Sequence, residues 1–202
     1  MKNLLLLIIT IFALSCNSQR QNDLSNDEAI KESFNKSEIK DLSKIQRFFD
    51  QSIGVTDYTN EKEILKAYSD FFKVNTEIEM ASEIKIPFSI SAQKDLNNQL
   101  DKSFFDEIWI YRETIANNTG DTLTDMELNL SGKFVAFLKK QGLQDKKFEN
   151  YYKTISLAGD VSPSLVAVIA KNFNDYDIED PKIRLLIAIH YLTINDNLNK
   201  KQ

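Results

Sequence analysis

Asp180-Pro181-Lys182-Ile183-Arg184-Leu185-Leu186-Ile187-Ala188-Ile189-His190-Tyr191-Leu192-Thr193-Ile194 is the stretch on which the fold turns. An acid followed by proline is a helix start: the Asp180 carboxylate can accept from the free N–H groups of a first turn, where the fixed φ and missing donor of Pro181 do no harm. Apolar residues then occupy nearly every angular position of a 3.6-residue period, so this helix has no wet face of any width. Such a helix is stable only when other elements surround it. The stretch therefore predicts a helical bundle with residues 181–194 at its centre.

The same start signal recurs at Ser162-Pro163, ahead of Leu165, Val166, Val168 and Ile169. Before it, residues 145–158 place Phe148, Tyr151, Tyr152, Ile155 and Leu157 at helical spacing and close on Gly159, and residues 131–141 place Phe134, Phe137 and Leu138 ahead of Gly142. Toward the N-terminus, Ser37 reads as an N-cap for a helix through Ile39, Leu42, Ile45, Phe48, Phe49 and Ile53, ended by Gly54. A second amphipathic helix runs from Asn60 or Glu61 toward Ala81. A third opens near Ser91 and passes Leu96 and Leu100; it breaks near Lys102 and resumes through Phe104, Phe105, Ile108, Trp109, Tyr111 and Ile115.

Two stretches fall outside this pattern. Residues 83–90 alternate polar and apolar side chains, but Pro87 lacks a ladder donor, so an extended connector or edge strand is expected there. Residues 117–125 read as the longest polar loop. With only 5 glycines and 3 prolines in 202 residues, turns are few. The expected fold is mainly α: a single helical bundle, or an irregular helical-repeat-like array, of about seven or eight helices, with at most one short extended segment near 83–90.

The net charge of −5 disfavours nucleic acid as a partner. At the N-terminus, Lys2 precedes an uncharged apolar run from Leu4 to Leu14, 11 residues against the roughly 20 that a membrane-spanning helix needs. That is the build of a signal peptide. The run ends in Phe12-Ala13-Leu14-Ser15-Cys16, and Cys16 is the sole cysteine. A small residue followed by cysteine resembles the lipobox of bacterial lipoproteins, with Ala13 and Leu14 standing where that motif prefers leucine and a small residue. The resemblance implies cleavage between Ser15 and Cys16, diacylglycerol on the Cys16 thiol, and a protein anchored to the membrane without spanning it. Residues 1–15 are then the signal, 16–36 a polar flexible tether, and 37–202 a single α-helical domain. No block of acids follows Cys16 directly, which leans toward an outer-membrane protein facing the periplasm.

Candidate sites are sparse. His190, the one histidine, sits in the most apolar helix and reads as a core residue with one hydrogen-bonded nitrogen. Aligning Gly120 to the glycine of an EF-hand loop puts Ile115, Thr119 and Met126 at ligand positions, which excludes that calcium site. Asp175, Asp177, Glu179 and Asp180 read as a solvated turn in which Asp180 caps the last helix. Glu107 and Glu113 flank Trp109 and Tyr111, an arrangement that suits a sugar groove, although helical spacing assigns the aromatics to the core. Asp121-Thr122-Leu123 resembles an O-glycosylation motif of bacterial envelope proteins, with Thr122 as the acceptor. Tyr151 and Tyr152 point about 100° apart on a helix, so both cannot be fully buried, and an exposed tyrosine suits a partner contact. No catalytic residue, metal or cofactor is assigned. The expectation is a membrane-tethered interaction module of the envelope that binds another protein, with an immunity or inhibitor protein and a glycan-processing or glycan-binding protein as rivals.

Overall fold

The computed structural model describes residues 23–76, 84–115, 120 and 122–199. Among them are nine α-helices and one antiparallel hairpin. In chain order the helices are α1 (Glu28–Ser33), α2 (Lys36–Ser52), α3 (Glu61–Asn75), α4 (Ile90–Asn97) and α5 (Lys102–Phe105); after strands β1 (Trp109–Ile115) and β2 (Thr122–Leu128) come α6 (Lys133–Gln141), α7 (Lys146–Ala158), α8 (Pro163–Lys171) and α9 (Pro181–Asn199). The mainly helical class expected from the sequence is what the chain adopts.

Helix α9 occupies the centre. Every residue from Ile183 to Ile194 is at most 1% exposed, and α2, α4 and β2 pack around it. The central position has to satisfy the few polar groups of α9, and it does so by tying in its neighbours. Thr193 accepts from the Trp109 indole at 2.9 Å, Asn195 donates to Gln93 Oε1 at 2.7 Å, and Gln93 donates to the Leu192 carbonyl at 2.9 Å. Asp196 accepts from the Met126 amide at 3.0 Å, fastening β2 to the helix. These bonds join α4, β1 and β2 to one element with specific geometry, beyond what apolar burial supplies.

Local sequence fixes the element ends. Asn35 caps α2 through the amides of Ser37 and Glu38, and Glu38 returns a carboxylate to the Asn35 amide at 2.8 Å, a complete capping box one position pair earlier than Ser37 suggested. Asp180 accepts from the Lys182 amide at 2.8 Å, as its place before Pro181 predicts. Gly159 ends α7 at φ +83°, a left-handed conformation that a side chain disfavours.

Three expectations are corrected. The helix projected through Ile115 stops at Phe105, and residues 109–115 form β1. The loop projected over 117–125 gives way at Thr122 to β2, paired from Trp109↔Leu128 to Ile115↔Thr122. The tether does not reach residue 36: Leu24, Ile30 and Phe34 are buried in the common core, and α1 lies inside the stretch assigned to flexible chain. Three apolar side chains at positions 24, 30 and 34 suffice because each is buried in the core that the later helices share. The Phe34 ring, for one, packs between Phe104 and Phe137 at 6.0 and 5.5 Å.

Residues 84–89 are an irregular connector with no strand partner among the described residues. They are pinned where the Lys85 amide donates to Asn75 Oδ1 at 3.0 Å. The projected extension of α3 beyond Thr76 toward Ala81 lies outside the described residues, as do Ser15, Cys16 and the signal segment. Among the described residues no helix is long and apolar enough to cross a membrane.

Candidate functional site

Helices α7 and α8 are joined by the short turn at Gly159 and splay apart on the outside of the bundle. Between them lies an open groove of about 430 Å³. Its deepest residues are Tyr151 and Leu165, both buried, and Val168 adds half-exposed apolar surface. Lys147, Asn150 and Thr154 of α7 form one rim. Asn172, Asp175 and Tyr176, in and beside the single 3₁₀ turn that follows α8, form the other. The Lys147 ammonium lies 6.0 Å from the centroid of the Tyr176 ring, a cation–π contact across one end.

The other two lysines of α7 are engaged along the helix itself. Glu149 accepts from Lys146 at 2.5 Å and Lys153 at 2.6 Å, and these two bonds hold its carboxyl down at about 2. Burial raises the Tyr151 phenol well above its ordinary value, so it stays a neutral hydroxyl. Its Oη shares a hydrogen bond of 3.1 Å with His190 Nδ1. Burial alone pushes His190 down to about 3, so the imidazole is neutral, and Nε2 has no hydrogen-bond partner. His190 is thus the core histidine with one bonded nitrogen that its sequence setting implies.

Tyr151 and Tyr152 lie in different surroundings, as their separation of about 100° on one helix implies. Tyr151 is 3% exposed, so it is no surface contact on its own; it forms the groove floor. Tyr152 is partly buried against the core. Thr122 is exposed at the start of β2, in a strand instead of the expected loop, while Asp121 lies outside the described residues. Glu107 and Glu113 do not act as a pair. Glu107 accepts from the Lys133 amide at 2.9 Å and so caps α6, whereas Glu113 is exposed on β1. Trp109 is fully buried, but Tyr111 is 56% exposed.

A second polar constellation was not legible in the sequence at all. Asp50 of α2, 1% exposed, accepts from Tyr68 of α3 at 2.5 Å. Arg184 of α9 lies alongside, and Gln46, with its oxygen turned toward the guanidinium, accepts from Nε at 2.8 Å and Nη2 at 3.2 Å. Burial pushes the Asp50 carboxyl up to about 6 against the opposing pull of Arg184 and of the Tyr68 hydroxyl. The cluster backs a cavity of about 140 Å³ lined also by Asp23, Arg47 and Tyr58. Two carboxylates and two guanidiniums nearly balance there, and Arg47 leans on the Tyr58 ring at 5.8 Å. The arrangement is a largely buried polar cluster that links α2, α3 and α9.

In the acidic turn Lys182 reaches Asp180 at 3.1 Å, and it also pairs with Asp27 at 2.6 Å. Among the described residues no group of three or more potential metal ligands is assembled. No family model matches the chain, and neither a curated protein nor a solved structure matches it significantly.

Proposed function

We propose that this is a lipid-anchored protein of the bacterial envelope, held to the membrane through Cys16, that works by binding another protein in the groove between α7 and α8. The observation that carries the reading is the composition of that groove. An apolar floor of Tyr151, Leu165 and Val168 lies under a rim of lysine, amide, hydroxyl and phenol groups. An apolar centre with a polar, solvated edge is the anatomy of a protein interface, where aromatic and aliphatic anchors supply affinity and the rim supplies register. The lining supports positioning a partner more than carrying out a reaction, since it offers a single carboxylate, Asp175, among amides, hydroxyls and lysines. An inhibitor or immunity protein is the form of this function that a small acidic envelope protein suits, with the groove seating a protruding element of the target.

A glycan is the second reading, favoured by the half-buried Tyr176 ring beside the Asn150 and Asn172 amides, a pairing of flat apolar face with bidentate polar groups that suits a sugar.

Affinity capture from detergent-solubilised membranes tests the main reading. Wild type is expected to retain one stoichiometric protein that Val168→Asp releases, since a charge on the half-exposed centre of the groove disrupts apolar contact. Equal retention by both chains would remove the groove from the function. Muropeptides or envelope glycans that perturb Tyr176 resonances without any protein partner would move the assignment to the second reading.

A further inference from the structure

The β1–β2 hairpin has two long edges, and the chain treats them differently. Along β2, the amides of Met126 and Leu128 point away from β1 and are closed by carboxylates, Asp196 at 3.0 Å and Asp160 at 3.1 Å. The register and the bond from the Asn129 amide to the Ile108 carbonyl (2.9 Å) fix the phase of the other strand: even-numbered residues of β1 face β2, and Tyr111, Glu113 and Ile115 turn their N–H and C=O groups outward. The sheet has two strands only, and among the described residues nothing pairs with that outer edge.

An open edge of this length is a template for another strand, and proteins ordinarily blunt such edges with proline, bulges or inward charges. Here the edge is flanked by exposed apolar groups: Tyr111 at 56% and Ile115 at 71%. Tyr111 is also held in place, its ring stacked on Phe105 at 5.7 Å and 20°. Between them on the same face stands Glu113. On the opposite face Arg112 is engaged with Glu127 at 2.7 Å, so the charge left to meet an incoming strand is the Glu113 carboxylate.

We infer that the outer edge of β1 binds an extended segment of a partner protein as a third strand, with apolar, basic and apolar side chains set opposite Ile115, Glu113 and Tyr111. Main-chain pairing supplies the affinity and the alternate side chains the selectivity. A second copy of this chain is a poorer occupant. The antiparallel register that pairs the whole of β1 with itself sets each Glu113 carboxylate opposite Tyr111 with no basic group across from it, and a shift that sets Glu113 against Glu113 puts like charges directly opposite. This surface stands apart from the groove between α7 and α8, and either can fail without the other.

The probe is the capped peptide TVTKTVT, titrated into the full chain while amide exchange is followed by NMR. Binding is expected to slow exchange at Tyr111, Glu113 and Ile115 and to leave Ile110, Arg112 and Thr114, already bonded to β2, nearly unchanged. Glu113→Pro removes an outward donor without touching the β1–β2 ladder and is expected to abolish binding with an unchanged melting temperature. Glu113→Lys weakens TVTKTVT about fivefold to tenfold and restores binding of TVTETVT. The inference is overturned by absence of peptide binding, by binding that protects other amides, or by edge protection that grows with protein concentration alone, which would assign the edge to self-association.

Discussion

Asp50 and His190 are buried in the same core and titrate in opposite senses. Asp50 is raised from its ordinary carboxylate value to about 6 by burial, so between about pH 4 and 6 the native state holds a proton that the unfolded chain releases. Its contribution to stability is present below that window and is lost as pH rises through it. His190, pushed down to about 3 by burial, does the reverse: the unfolded chain takes up the proton, and stability is lost as pH falls from the ordinary histidine value. The two slopes oppose one another over the shared interval. Denaturant unfolding of Asp50→Asn across pH 4–7 should therefore show stability rising with pH relative to wild type, by up to about 3 kcal/mol at two pKa units. Parallel curves for the two chains would place the charged form of Asp50 in a solvated site. Tyr68→Phe removes the donor at 2.5 Å and should cost about 1.5–3 kcal/mol near neutral pH, where the acceptor is ionised, and less at pH 4, as read by the same unfolding series.

At the scale of elements, two side chains of α9 hold the hairpin, Thr193 at Trp109 and Asp196 at Met126. Asp196→Ala leaves the Met126 amide buried without its acceptor, and a loss of about 1–3 kcal/mol is expected, with exchange at β2 amides rising before that of α2 or α9. Uniform acceleration across all elements would show that the hairpin has no separate opening. The hairpin is also where the sequence misleads. Ile108, Tyr111 and Ile115 fall at spacings of three and four, which continue the helical phase of Phe104 and Phe105, so periodicity reads straight through a chain reversal. The contrary signal was present in composition: Trp109, Ile110, Tyr111, Thr114 and Ile115 are β-branched or aromatic, and Thr122 and Thr124 answer them across the ladder. Start and stop signals fared better, because Asp180-Pro181, Ser162-Pro163 and Gly159 act on the backbone within a turn of themselves and need no tertiary partner. The groove was half legible. Tyr151 is marked by its place beside Tyr152, but its burial is a tertiary matter, and its hydrogen-bond partner His190 lies 39 positions away. The Asp50, Tyr68 and Arg184 cluster joins three helices and has no local signature whatever.

For the molecule as a whole, the decisive contact is between the segment read as tether and the core it enters. Leu24, Ile30 and Phe34 are at most 4% exposed, and the segment is fastened by polar contacts as well: Lys182 pairs with Asp27 at 2.6 Å and Lys140 with Glu32 at 2.8 Å. Deleting a large buried apolar side chain ordinarily costs about 2–5 kcal/mol, and three together rival the whole stability of a domain, about 5–15 kcal/mol. The exposed ion pair adds little to that. A chain beginning at residue 36 is therefore expected to lose its cooperative thermal transition and expose apolar surface, while one beginning at residue 23 melts as the full chain does. Dye binding and calorimetry on the two truncations measure this directly. A cooperative transition retained by the shorter chain would return residues 24–34 to the tether. Retention by the longer chain alone places the start of the fold between residues 23 and 36 and makes Leu24, Ile30 and Phe34 part of its core.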